Sequence, residues 1–193
     1  MRHLFSLLNF PARRRLEALR PRLHRLAYAW CHDAVLADDL VQDCLAKALV
    51  RSDQLRDEQA LESWLFSILN NCWRDHLRAR REFVDVAELD ETIFSDAPGP
   101  EQNYASRQTT QRVRHAIASL PLGQRQVITL VDIEESTYAE VARILEVPVG
   151  TVMSRLSRAR LALKQHFMAD QAASDKVASD KAIRSQMTIR RVK

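Results

Sequence analysis

Two apolar stripes on either side of a proline constrain this chain more than any other feature; they lie at residues 137–164, TYAEVARILEVPVGTVMSRLSRARLALK. In both stripes apolar residues recur every three or four positions, as they do on one face of an α-helix. The first stripe is Tyr138, Val141, Ala142 and Leu145, and the second is Val149, Val152, Leu156, Ala159 and Leu163. Thr137 and Glu140 have the spacing of a capping box, which predicts where the first helix begins. Pro148 disfavours helix at Val147, so the stretch predicts a helix-turn-helix.

The face of the second helix opposite its apolar stripe is small and polar. At 100° per residue, the side chains directed away from Val152 and Leu156 belong to Gly150, Ser154, Ser157 and Arg158, with Thr151 and Arg155 beside them and Met153 at the other edge. Arginine can pair with guanine, and hydroxyl groups can bond to bases or phosphates, so this face suits the major groove of DNA. A structural helix pair with a solvated face would use the same residue types, and this stretch alone leaves both interpretations open.

Glycine is scarce in the rest of the chain, with only three residues among 193, and further helical stripes occur in both halves. We therefore expect an all-α protein with two small helical domains, the second ending in the helix-turn-helix. Between them, the stretch at residues 82–101 holds seven acids and neither Lys nor Arg, and it contains the helix breakers Pro98, Gly99 and Pro100. The predicted boundaries are residues 10–82 for the first domain, 83–103 for an acidic flexible linker, 104–168 for the second domain and 169–193 for a tail that is disordered or a loose helix.

Charge and cysteine content narrow the class of protein. The first 30 residues hold seven arginines and one acid, which indicates a polyanionic partner. Cys31, Cys44 and Cys72 form no CxxC pair, so we expect buried, reduced thiols in a cytoplasmic protein, without a metal site or any other cofactor. The apolar run near the amino terminus is too short to span a membrane. Because no P-loop, HExxH or nucleophile-elbow motif occurs, we expect no enzyme and no small-molecule substrate.

Five segments occur in an order that resembles the extracytoplasmic-function (ECF) sigma factors of bacterial RNA polymerase. They are DDLVQD at residues 38–43, WLFSILNN at 64–71, DHLRARRE at 75–82, LPLGQRQV at 120–127 and the helix-turn-helix described above. This resemblance implies an alternative sigma factor that binds core RNA polymerase, double-stranded and melted promoter DNA, and an anti-sigma factor. It also implies that the acidic linker threads through a basic channel of the polymerase.

The resemblance further implies three sets of contact residues. The set expected to bind core polymerase is Asp39, Leu40, Val41, Gln42 and Asp43. The set expected to contact the −10 element is Asn71, Trp73, Arg74, Arg78, Arg80 and Arg81. The set expected to contact the −35 element is Thr151, Met153, Ser154, Arg155, Ser157 and Arg158. Of the last set, Ser154, Ser157 and Arg158 are expected to touch bases, while Arg155 and the nearby Arg160 would serve phosphates or neighbouring residues.

One departure and two alternatives accompany this interpretation. Glu134 and Glu135 stand where members of the family usually have a glycine-containing turn, and we expect that turn to face away from DNA phosphates. The first alternative is a helix-turn-helix repressor or activator that is not a polymerase subunit, which would leave residues 38–43 unexplained. The second is a helical adaptor with no role on DNA, which would leave the arginines at residues 74–81 unexplained.

Overall fold

The computed structural model describes residues 10–51, 55, 57–83 and 104–190, and within these ranges it contains helices and no strand. The α-helices are α1 (Phe10–Cys31), α2 (Ala34–Val50), α3 (Leu61–Phe83), α4 (Tyr104–Ala118), α5 (Leu122–Ile128), α6 (Tyr138–Leu145) and α7 (Val149–Arg190). A π-helical turn, Thr129–Ile133, continues α5, and a 3-10 turn, Glu58–Ala60, precedes α3. The all-α prediction is therefore confirmed. None of the described helices is long and apolar enough to cross a membrane.

Helices α1, α2 and α3 form the amino-terminal half. His32 adopts a left-handed conformation with φ of 55°, which ends α1. Asp33 then caps α2, because its Oδ1 accepts hydrogen bonds from the backbone amides of Val35 (2.9 Å) and Leu36 (3.1 Å). This two-residue connection folds α2 back against α1, and α3 packs on both. The side chains buried between the three helices include Leu23, Trp30, Val41, Leu65 and Leu69.

The carboxy-terminal half contains the predicted helix-turn-helix. The capping box is present, since Glu140 N donates to Thr137 Oγ1 and Thr137 N donates to Glu140 Oε2. Helix α6 ends at Leu145 as expected, and Glu146 follows it in the left-handed conformation with φ of 56°. Helix α7 begins directly after Pro148 and buries its predicted stripe at Val152, Leu156 and Ala159.

The two halves pack against each other, which the sequence did not predict. One continuous cluster of buried apolar side chains runs from α1, α2 and α3 into α5, α6 and α7. Direct contacts join α3 to α6 and α1 to α5. The predicted linker at residues 83–103 lies outside the described residues, apart from its first residue at the end of α3.

Helix α7 continues to Arg190, so residues 169–190 of the predicted tail have a helical backbone. The physical reason is that no glycine or proline follows Gly150, and nothing therefore interrupts the helix. In the acidic turn before α6, the side chain of Glu134 is 2 % exposed and pairs with Arg22 of α1. Its neighbour Glu135 is exposed and left-handed, with φ of 56°.

The cysteines are thiols, as expected, although only two of them are buried. Cys44 and Cys72 lie in the core of the amino-terminal half, and Cys31 is half-buried at the end of α1. Burial raises the pKa of the Cys44 and Cys72 thiols, and it raises the pKa of Cys31 to about 11. All three are therefore protonated near neutral pH.

Candidate nucleic-acid interface

The exposed face at the start of α7 carries the polar side chains that the sequence assigned to the −35 element. Ser154, Ser157 and Arg158 are exposed, and Met153 is 54 % exposed beside them. Arg158 Nε donates to the carbonyl oxygen of Ser154 at 3.2 Å, and Arg158 Nη2 lies 3.4 Å from Ser154 Oγ. The guanidinium group therefore lies along the helix surface, where a base edge can replace these weak, exposed contacts.

Arg155 and Arg160 have different surroundings from Arg158. The half-buried Arg155 packs over the start of α5, where a Cβ at Gly123 would come within 3.0 Å of its Cζ. A larger residue at that position would require the end of the Arg155 side chain to shift by a few tenths of an ångström. Arg160 pairs with Asp132 in the π-helical turn through Nη2 and Oδ1 at 2.5 Å. Both arginines thus contact residues of neighbouring elements, which is one of the two roles expected for them. Thr151 is likewise half-buried.

A surface pocket of about 290 Å³ lies between α2 and α3 and is closed on one side by the turn after α6. Its lining includes Asn71, Arg74 and Arg78, three of the residues expected to contact the −10 element. Lys47 and Arg51 from the end of α2 complete its basic wall, and neither was predicted from the sequence. Their i, i+4 spacing on the last turn of α2 was the available signal, because it places two cations on one helical face.

Two carboxylates form ion pairs with the cations of this pocket. Asp75 accepts from Lys47 Nζ at 3.3 Å and from Arg78 Nη1 at 3.3 Å. Burial lowers the pKa of Lys47, but Cys72 and Asp75 together raise it by more, so the net pKa is raised and Lys47 stays a cation. Arg74 pairs with Glu146 of the other half. The pocket therefore presents positive charge and one amide, which suits a phosphate and a base edge.

Other predicted −10 residues lie in different environments. Trp73 is only 7 % exposed and stacks on His76, with ring centroids 5.7 Å apart. Its ring therefore packs inside the fold in this structure. Arg80 is exposed near the end of α3, whereas the side chain of Arg81 lies outside the described part.

The set expected to bind polymerase divides between two faces of α2. Asp39, Gln42 and Asp43 are exposed, as a docking surface requires. Leu40 is 3 % exposed and Val41 is fully buried, so of the predicted set only the three polar residues offer their side chains to a partner in this structure. Both side chains pack in the hydrophobic core, whereas the polar side chains of α2 lie outside it.

Comparison with known proteins covers both halves. Residues 16–83 match the family model for Sigma-70 region 2, and residues 110–163 match that for Sigma-70, region 4. The ECF RNA polymerase sigma factor EcfG of Rhodopseudomonas palustris is 33 % identical over 153 residues, which cover 79 % of this chain and 82 % of the relative.

Two solved structures resemble the fold. One is the sigma factor RpoE in complex with the anti-sigma factor NepR from Bartonella quintana, with a TM-score of 0.68 and 29 % identity over 82 % of this chain and 97 % of that chain. The other is CnrH in complex with the cytosolic domain of CnrY, with a TM-score of 0.55 and 27 % identity over 82 % of this chain and 90 % of that chain. Neither a stand-alone helix-turn-helix regulator nor a helical adaptor accounts for the region 2 match. The chain belongs to the extracytoplasmic-function sigma factors, and it is an alternative sigma factor that directs RNA polymerase to promoters.

Proposed function

We propose that the start of α7 recognises the −35 element as duplex DNA. The observation that carries this proposal is the exposure of Ser154, Ser157 and Arg158 on one face, opposite the buried Val152 and Leu156. Arg158 would pair with guanine in the major groove, and the two hydroxyl groups would bond to neighbouring bases or phosphates. Met153 would lie against a thymine methyl group, since apolar side chains make that contact.

The pocket beside α3 is proposed to hold the melted −10 element. Asn71 would bond to the edge of an unpaired base, because its amide offers both donors and an acceptor. Arg74, Arg78 and Arg80 would bind phosphates, together with Lys47 and Arg51, which fixes the position of the strand without selecting its sequence. Arg81, at the end of α3, is assigned to the same strand on sequence grounds.

The polar face of α2 is proposed as the docking site for core polymerase, through Asp39, Gln42 and Asp43. In this proposal residues 10–82 and 104–168 act as two separate binding domains. The acidic segment at residues 83–103 would pass through a basic channel of the polymerase, where its carboxylates would take the place of phosphates. The chain would perform no bond chemistry of its own.

We further infer that an anti-sigma factor restrains this protein and that it acts in the cytoplasm, where the polymerase works. Support comes from the two solved relatives, because RpoE is bound to an anti-sigma factor and CnrH to a cytosolic protein domain.

Reconstituted transcription tests the proposed function. Core RNA polymerase, with and without this protein, would transcribe fragments of the host genome, and the transcripts would be sequenced to map their start sites. We expect a new set of start sites that share two sequence elements, one near −10 and one near −35. Identical start sites with and without the protein would contradict the proposal.

A further inference from the structure

The contact between the two halves is built from specific polar groups as well as apolar packing. Asn70 of α3 is 2 % exposed, and its side-chain amide forms two hydrogen bonds. Its Nδ2 donates to the carbonyl oxygen of Ile144 at 3.0 Å, and its Oδ1 accepts from Gln126 Nε2 at 3.1 Å. Both bonds go to the carboxy-terminal half, so this buried amide is satisfied across the contact.

A partly buried ion pair also joins the two halves. Glu134 Oε2 accepts from Arg22 Nε at 2.8 Å, and Arg22 also pairs with Glu62 at 2.7 Å. Arg125 Nη1 donates to the carbonyl oxygen of Trp30 at 2.9 Å, so a second arginine joins the halves. Buried groups that would be costly to leave without partners therefore fix one relative orientation of the halves.

This orientation brings Glu146 onto Arg74. The two side chains pair through Glu146 Oε2 and Arg74 Nη1 at 2.5 Å, and Glu146 forms part of the pocket that contains Asn71. A carboxylate on an arginine occupies the same kind of site as a DNA phosphate. Glu146 thus neutralises Arg74 in the pocket that is proposed to bind the −10 element.

The packed arrangement cannot contact both promoter elements at once. The two elements lie roughly 25 base pairs apart, which is about 85 Å at 3.4 Å per base pair. Ser154 lies eight residues after Glu146, so the chain between them spans at most about 29 Å, and Glu146 touches Arg74. The twenty residues at 84–103 could reach about 70 Å when extended, so the halves can separate without breaking the chain.

We propose that this packing is a closed state of the protein in which Glu146 competes with promoter DNA for Arg74 and the pocket around Asn71. Opening requires Asn70 to leave Ile144 and Gln126, and DNA binding at the pocket then favours the open state. The proposal rests on the proposed function of that pocket in −10 binding. It assigns to Asn70 and Glu146 a role in closure that the neighbouring Asn71 does not share.

Variants of the full-length chain separate closure from DNA binding. Asn70→Ala removes both buried bonds across the contact, and Glu146→Gln removes the charge on Arg74. Asn71→Ala, one residue along the same helix, and Glu135→Gln, an exposed glutamate with the same φ of 56°, serve as matched controls. The probe is a fluorescein-labelled pool of 12-nucleotide single strands of random sequence, with binding followed by anisotropy at fixed salt. Small-angle X-ray scattering of each unbound variant measures the radius of gyration.

Substitutions of the adjacent residues Asn70 and Asn71 should have opposite effects on DNA affinity. Asn70→Ala should raise DNA affinity by about five- to a hundredfold and increase the radius of gyration, since losing a buried hydrogen-bond partner shifts a two-state equilibrium by about that factor. Glu146→Gln should raise affinity about two- to fivefold, the range of an exposed ion pair. Asn71→Ala should lower affinity and leave the radius unchanged, and Glu135→Gln should match the wild type.

Unchanged affinity in both Asn70→Ala and Glu146→Gln would overturn the closed state, as would an equal gain in Glu135→Gln. Reconstituted transcription distinguishes this failure from failure of the proposed function. Suppose that the wild-type protein gives new start sites but that DNA affinity is unchanged in the two variants. This result would contradict the closed state and leave the proposed function standing.

Discussion

Trp30 Nε1 donates a hydrogen bond of 3.0 Å to Thr129 Oγ1 and so joins residues 99 positions apart in the two halves of the chain. The hydroxyl in turn lies 2.8 Å from the carbonyl oxygen of Arg125, so it can accept from the indole and donate to the backbone. Both side chains are buried, and water cannot replace either bond. Thr129 opens the π-helical turn after α5, so this bond ties an irregular turn of one half to the last turn of α1.

Thr129→Val should therefore destabilise the protein by about 1–3 kcal/mol, because it leaves the buried indole N–H without an acceptor while keeping the side-chain shape. Equilibrium unfolding in urea measures this loss. Thr129→Ser keeps the hydroxyl and is the control; it should lose only about 1 kcal/mol, for the missing methyl group. If the valine variant were as stable as the serine variant, the bond would contribute nothing to the free energy of unfolding.

Arg158→Ala should weaken discrimination at one −35 position by about 1–3 kcal/mol, the usual contribution of one bidentate base contact. Core-polymerase binding should stay unchanged, because α2 lies elsewhere. Arg160→Ala is the matched control on the same helix, since Arg160 is engaged with Asp132. Transcription from promoters varied at each −35 base is the measurement, and an unaltered preference in the Arg158 variant would refute its assignment.

Asn71→Ala should lower open-complex formation and flatten the preference at one −10 position, because Asn71 lines the pocket beside Arg74. Its thermal stability should stay close to that of the wild type, since the residue is only half-buried. On a pre-melted promoter with that base already changed, the variant should show no further loss. A lower melting temperature with equal losses on every promoter would instead mean that Asn71 is structural.

Local features of the fold could be predicted from the sequence, whereas contacts across the chain could not. The Thr137–Glu140 capping box and the break at Pro148 depend on residues within one or two turns, so their spacing is visible in the sequence. Asn70 and Asn71 look alike in sequence, and periodicity alone did not show that Asn70 is the buried one. Its partners Gln126 and Ile144 lie 56 and 74 residues away, beyond any local pattern.

In the candidate site too, local features were predictable from the sequence and contacts between helices were not. Helical angles correctly separated Arg158 from Val152, because both positions are fixed by one helix. The placement of Arg155 depends on Gly123 in another helix, and the burial of Trp73 depends on how α3 packs. Periodicity within one helix carries no information on either contact.

Glu135→Gly should raise the free energy of unfolding by about 0.5–1 kcal/mol. The left-handed conformation costs a residue with a side chain about 1–2 kcal/mol, and the greater entropy of an unfolded glycine cancels part of that gain. Glu135→Ala removes the same charge but keeps the strain, so urea unfolding should show no gain for it. An equal gain in both variants would mean that the charge, and not φ, is responsible.

His32 should make stability depend on pH below neutrality. Burial, and then the charges of Arg125 and His115, lower the pKa of His32 from 6.5 to about 4 in the folded protein. Between these values the unfolded chain binds a proton that the folded chain does not, so stability falls as the pH drops from about 6.5 towards 4. His32→Asn should flatten this part of the profile, because asparagine does not titrate and tolerates the φ of 55°. Urea unfolding of both proteins at several pH values between 7.5 and 4.5 is the measurement. Parallel profiles would show that other groups cause the acid sensitivity.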